Sequence, residues 1–137
     1  MAQVKYFLFC EDVLRDDAGK PTLVGIFDTI EVEKFPTRAS SFKIAVSIQP
    51  DEGDFTEDGT VKATVDISDS DGKVQGKIEI EAKKRADSDK PVITTTLDIS
   101  REFIIKSKKN YVFRLKVGND VIASQTLTVE EPRNEPK

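Results

Sequence analysis

The sequence predicts an all-β chain, two antiparallel sheets packed as an immunoglobulin-like β-sandwich of about seven to nine strands. The first observation behind this is strict apolar/polar alternation. Phe42, Ile44, Val46 and Ile48 point one way, and Lys43, Ala45, Ser47 and Gln49 the other. Val61, Ala63, Val65 and Ile67 repeat the pattern, as do Val74, Ile78 and Ile80, then Tyr111, Phe113, Leu115 and Val117. Successive side chains of a strand leave opposite faces, so a period of two marks sheets with one wet face. The second observation is the turn chemistry between these segments, Asp69-Ser-Asp-Gly72 and Gly118-Asn-Asp120. The third is Tyr111, at the head of the penultimate strand just after a polar corner. Immunoglobulin-like sandwiches place a tyrosine there that bonds back to the backbone. The same residue serves equally well as the first member of the inward row with Phe113 and Leu115.

Taken in order, Val4 to Cys10 reads as the first strand, apolar on both faces and therefore central or covered. A polar turn from Asp16 to Pro21 leads to a second strand, Leu23 to Glu33, which Phe35-Pro36 breaks because proline cannot donate to a ladder. Phe42 to Gln49 is the third strand. Thr60 to Ser68 and Lys73 to Ala82 form a hairpin around Gly72. After a charged loop from Lys83 to Lys90, the β-branched run Val92 to Ile99 is a sixth strand. Phe103 to Ile105 reads as a short extra strand or as a loop that plugs the core. Asn110 to Val117 and Val121 to Glu130 make the last hairpin. Residues 1–130 then form one domain, and 131–137, with Pro132 and Pro136, a flexible tail.

Composition narrows the chemistry. With 137 residues, 37% hydrophobic and 34% charged, the chain suits a single domain burying roughly two thirds of its unfolded surface. A net charge of −4 and a pI near 5.0 argue against nucleic acid, whose backbone needs a concentrated positive field. No apolar stretch approaches the ~20 residues that cross a bilayer. The run Tyr6 to Cys10 is too short for an export signal, so a cytoplasmic location is expected. Cys10 is the single cysteine and histidine is absent, which removes an intrachain disulfide and the usual near-neutral general base.

Four places are candidate sites. The acidic loop Pro50 to Gly59 carries Asp51, Glu52, Asp54, Glu57 and Asp58, hard oxygen donors of the kind calcium takes; Asp51, Asp54 and Asp58 are the candidate ligands. A solvated, self-repelling loop explains the same residues. Asp66 to Gly72 resembles a calcium loop only superficially, because Ile67 and Ile78 fall on the first and last ligand positions. Asp28 interrupts the apolar row Val24, Ile26, Ile30 and Val32, and is either a partly buried functional acid or, as favoured here, an acid that a bulge turns outward. Lys83, Lys84 and Arg85, with Lys106, Lys108 and Lys109, make two basic knots that would form an anion patch if they shared one end. Cys10, followed by Glu11 and Asp12, reads as a small buried hydrophobe rather than a nucleophile.

Val4-Lys-Tyr-Phe-Leu-Phe-Cys10, Leu23-Val-Gly-Ile-Phe-Asp-Thr-Ile30, Phe35-Pro36 and the closing Asn110-to-Val117 hairpin resemble a family of small bacterial proteins of unknown function. Its core is the segment Gly25-Ile-Phe-Asp28. The resemblance implies an immunoglobulin-like sandwich and supplies no catalytic residues. The function expected is therefore binding without catalysis. The partner expected is a protein, held through loops or an edge strand, with self-association into a homodimer as its extension. A calcium- or ligand-binding role for loop 50–59 is the alternative; no nucleic acid, membrane or resident cofactor is expected.

Overall fold

The computed structural model describes residues 2–38, 42–83, 92–99, 104–106 and 108–132. The chain is all-β, with nine strands in two sheets. Strands β1 (Gln3–Arg15), β2 (Pro21–Phe27), β5 (Phe42–Gln49) and β8 (Ile93–Ile99) form a four-stranded sheet in the order β2-β1-β5-β8. Strands β3 (Thr29–Glu31), β6 (Thr60–Asp69), β7 (Val74–Lys83), β10 (Tyr111–Val117) and β11 (Asp120–Glu130) form a five-stranded sheet in the order β3-β11-β10-β6-β7. Two short strands, β4 (Thr37–Arg38) and β9 (Ile104–Ile105), pair with each other.

Alternation chose the inner face of each strand. Phe7, Phe9, Ile44, Val46 and Ile48 on one sheet, and Val65, Ile67, Phe113, Leu115 and Leu127 on the other, are all buried in one hydrophobic cluster. Phe9 is its hub. Its ring meets Phe113 of the opposite sheet edge-on with centroids 4.9 Å apart, and Phe27 and Phe42 from neighbouring strands at 6.1 and 5.9 Å. Such aromatic contacts stabilise beyond the area they bury. Tyr111 fills both roles the sequence allowed it. Its ring is buried at the head of the row with Phe113 and Leu115, and its hydroxyl accepts the backbone N–H of Lys106 at 3.3 Å.

The β6–β7 and β10–β11 hairpins fall where the turn residues put them. A buried carboxylate clamps the first turn. Asp69 Oδ1 accepts the N–H groups of Asp71 and Lys73 at 2.9 and 3.0 Å, and Oδ2 takes the Gln75 amide at 3.1 Å. Lys109 adds an ion pair to Asp71 that ties this turn to the segment entering β10.

Three features differ from the sequence reading. The sheets are not wholly antiparallel, because Thr29–Glu31 runs parallel to Thr128–Glu130 of β11. The first strand continues past Cys10 to Arg15, and the second divides at Asp28 instead of running unbroken to Glu33. The extra short strand of the sequence reading is Ile104–Ile105, with Ile105 fully buried; Phe103 lies outside the described residues. So do the loop 84–91 and tail residues 133–137.

The division at Asp28 has a topological cause. β2 pairs with β1 in one sheet, β3 pairs with β11 in the other, and Asp28 is the point where the chain crosses. Its carbonyl accepts the Thr128 N–H at 2.8 Å, so the crossover is pinned to β11 from its first residue. A strand that changes sheets also changes the face its side chains present. Val24 and Ile26 therefore point outward, whereas Val32, past the crossing, is buried.

Candidate functional site

Register places the outward residues of the four-stranded sheet side by side. Cys10 lies between Ile26 of β2 and Lys43 of β5; Leu8 lies beside Ala45, and Tyr6 beside Ser47. Ala45 and Ser47 in turn oppose Thr96 and Thr94 of β8. The result is a face of small and apolar side chains in which Cys10, Ala45 and Ser47 are all but inaccessible between their neighbours. Lys43 spans the end of this face. Its ammonium lies 3.4 Å from Asp12 and 3.5 Å from Asp98, linking three strands. The hydrogen bond to Asp12 and the charge of Asp98 hold the Lys43 pKa above its usual value.

Past Cys10 the pairing of β1 with β5 ends, while its pairing with β2 continues to Arg15 and Pro21. Glu11 to Gly25 is thus a two-stranded arm projecting from the sheet. Asp16 closes its tip, with Oδ1 accepting the N–H groups of Ala18 and Lys20 at 2.9 and 2.8 Å. Gly25 adopts φ +66°, and the Glu11 carboxylate lies over it where a Cβ would sit. Any other residue there would meet both the left-handed backbone and that side chain. On its outward side the arm and the adjoining sheet expose Leu14, Val24 and Ile26 to 55%, 39% and 58%.

The five-stranded sheet is built the opposite way. On its outer face Lys62 opposes Glu81, Thr64 opposes Glu79 and Asp66 opposes Lys77. Lys116 reaches Asp66 at 2.6 Å, and Arg114 donates to the Ser68 hydroxyl at 3.4 Å. Oppositely charged cross-strand neighbours suit a face that stays in water.

The residues singled out in the sequence do not converge. Asp28 is exposed, at the crossover, and accepts the hydroxyl of its neighbour Thr29 at 3.0 Å. A change of sheet, not the expected bulge, turns it outward. In the acidic loop, Glu52–Asp54 make one 3₁₀ turn, and Asp54 Oδ2 accepts the Asp51 N–H at 2.8 Å. Asp58 accepts the Thr56 hydroxyl, which with the Thr60 contacts holds its carboxyl below the ordinary range. These oxygens organise the loop itself, and among the described residues no three Cys, Asp or Glu are grouped as metal donors. Burial, then the charge of Asp12, pushes the Cys10 thiol up, while Lys43 pulls the other way. A thiol so placed is a weak nucleophile. In the second basic knot Lys109 is spent on Asp71 while Lys106 and Lys108 are exposed. Lys84 and Arg85 of the first lie outside the described residues.

A family model matches residues 5–130, from within β1 to the end of β11. The chain belongs to DUF6941, a family of unknown function. Comparison with curated proteins returned no match. The DUF6941 match takes in both outer faces, the arm, the Gly25-to-Asp28 segment and the region from Lys83 to Lys109. Among the described residues no helix is long and apolar enough to cross a membrane.

The apolar outer face was missed by periodicity, yet two signals for it were present. The first strand is apolar on both faces, and the row Val24, Ile26 shares a strand with Leu23 and the core-packed Phe27. Both rows of one strand cannot face the same core.

Proposed function

We propose that the chain is a non-enzymatic protein-binding module on an immunoglobulin-like β-sandwich. It engages its partner through the outer face of the four-stranded sheet and the projecting arm. The observation that carries this reading is the exposed aliphatic row Leu14, Val24 and Ile26. Soluble chains seldom gather large aliphatic side chains on one exposed surface unless something docks there. Asp12 lies in the row opposite Val24 and is paired with Lys43, and Asp16 and Asp17 follow at the tip with Arg15 and Lys20. Arg15 already donates to the Gly19 carbonyl at 3.0 Å. With the charges around the row balanced, the partner surface that fits is apolar. Tyr111 bonding back to Lys106, and one core shared by two sheets, support the immunoglobulin-like sandwich. A cytoplasmic setting suits the single free Cys10.

The test is crosslinking capture from the native cell, followed by titration of the purified partner against three chains. These are the unmodified protein, the double variant Leu14→Lys/Ile26→Lys, and Val74→Lys, an exposed apolar control on the other sheet. The double variant should bind about tenfold or more weakly, with the control unchanged. Equal binding by all three, or capture of no partner at all, overturns the reading.

A further inference from the structure

The two main sheets have four edge strands, β2, β8, β3 and β7, and three of them carry devices that discourage pairing with another chain. β2 begins at Pro21 and is bent by the positive φ of Gly25. β3 is three residues long. β7 sets Lys77, Glu79, Glu81 and Lys83 along its length. Proline, irregular backbone, shortness and charge are the usual means of blunting an edge. β8 has none of them but a single acid, Asp98. It reads Ile93-Thr-Thr-Thr-Leu-Asp-Ile99, seven residues with five β-branched side chains and one charge. Among the described residues its outer side pairs with nothing.

We propose that this edge is a self-association site, where β8 pairs antiparallel with β8 of a second copy about a two-fold axis at Thr96. The sequence of β8 is complementary to its own reverse. In that register Ile93 meets Ile99 and Thr95 meets Leu97 on the inner side, while Thr94 meets Asp98 and Thr96 meets itself on the outer side. No charge faces its like. The two Asp98 carboxylates stand about four strand positions apart, roughly 13 Å, beyond the ~8 Å screening length of physiological salt. Each is also held near Lys43, at 3.5 Å. An edge meant for a different strand has no reason to be self-complementary, which favours a second copy over a foreign peptide. Isologous pairing of this kind closes as a dimer and leaves no further edge of its type. It merges two four-stranded sheets into one of eight, with both outer faces on the same side. The proposal stands independently of the protein-binding role of those faces.

Sedimentation velocity across micromolar to millimolar concentrations, with the full chain, provides the test. The unmodified protein should show a concentration-dependent dimer. Thr96→Lys, which sets two ammonium groups against each other at the axis, should weaken it roughly tenfold or more, whereas Glu79→Lys on β7 should not. Thr96→Cys reads the register even if Thr96→Lys folds poorly. Two Cβ atoms ~4.5–5.5 Å apart across the axis should give a disulfide-linked dimer on mild oxidation with oxidised glutathione. Thr94→Cys, which faces Asp98, should not crosslink. A monomer at millimolar concentration, a dimer indifferent to Thr96→Lys, or crosslinking at residue 94 in preference to 96 overturns the proposal.

Discussion

On the outer face of the five-stranded sheet, successive rungs lay Lys62 against Glu81 and Asp66 against Lys77, and Lys116 folds onto Asp66. At equivalent outward positions of the four-stranded sheet stand Leu8, Cys10, Ile26, Ala45 and Thr96, with the ion pairs of Lys43 to Asp12 and Asp98 at one end. Both sheets send the same kind of side chain inward, so packing does not account for the difference. Water imposes the charged pattern on one face, and the small and aliphatic groups of the other are what the proposed partner would cover. The edges repeat the contrast, with β7 guarded by charge and β8 unguarded.

The largest effect separates the two sides of a single strand. Phe9 and Leu8 are adjacent on β1, but Phe9 is the aromatic hub between sheets and Leu8 lies on the outer face. Phe9→Ala should cost ~3–5 kcal/mol in denaturant unfolding, the range for truncating a buried aromatic. Leu8→Ser should cost under about 1 kcal/mol in the isolated chain, since its side chain keeps water on one side. A Leu8→Ser loss rivalling that of Phe9→Ala would make the outer face part of the folding core and erase the contrast.

A smaller effect belongs to the charged sheet and depends on pH. Burial alone would raise the Asp69 carboxyl, but the N–H groups of Lys73 and Asp71, with the charges of Lys109 and Lys73, outweigh it and hold the pKa below the ordinary carboxylate value. A depressed folded pKa means that the unfolded chain takes up the proton first on acidification. The contribution is therefore complete above the unfolded value, near pH 4, and is lost as pH falls through the folded pKa. Asp69→Asn should lower the melting temperature at pH 7 and leave the variant and the parent closer together at pH 2–3. A constant difference across that range would show that the clamp acts by shape and not by charge.

Much of this was legible in the sequence. Phe42 to Ile48 and Val61 to Ile67 sit as alternation places them, and the turn at Asp69 to Gly72 closes where its residues demand. Tyr111 was legible to the level of its hydrogen bond. What stayed hidden depends on distant parts of the chain. Asp28 breaks an apolar row because the chain leaves β1 at the end of β2 and pairs through β3 with β11, about a hundred residues away, and no local period carries that partner. The arm was hidden for a related reason. A ribbon unsupported by a third strand has no single inner face, so Val13 and Leu14 follow each other without an alternation to read. The candidate site takes in the second of these places, the arm, together with the outer face beside it.

Within the charged face, Lys116 and Asp66 pair at 2.6 Å, with side chains 34% and 18% exposed. A double-mutant cycle with Lys116→Met and Asp66→Asn should return ~0.2–1 kcal/mol of coupling, falling in 1 M salt as partly exposed pairs do. A coupling of several kcal/mol, insensitive to salt, would mean that this face is desolvated in the protein's working state and is an interface too.

The smallest effect on stability is the most informative about purpose. Ile26 exposes 58% of its surface beside Cys10 on the outer face, so replacing it removes few contacts that the folded chain makes and the unfolded chain lacks. Ile26→Lys should therefore shift stability by no more than ~0.5 kcal/mol, as surface substitutions do. It should also reduce the binding of a fluorescent hydrophobic dye to the native protein, because it breaks the aliphatic row at its most exposed member. An exposed isoleucine that folding does not require, on a face whose counterpart across the core is largely charged and polar, is what the proposed binding role calls for. A loss of more than about 1 kcal/mol would instead assign Ile26 to the fold, and the asymmetry between the two faces would then be a property of packing alone.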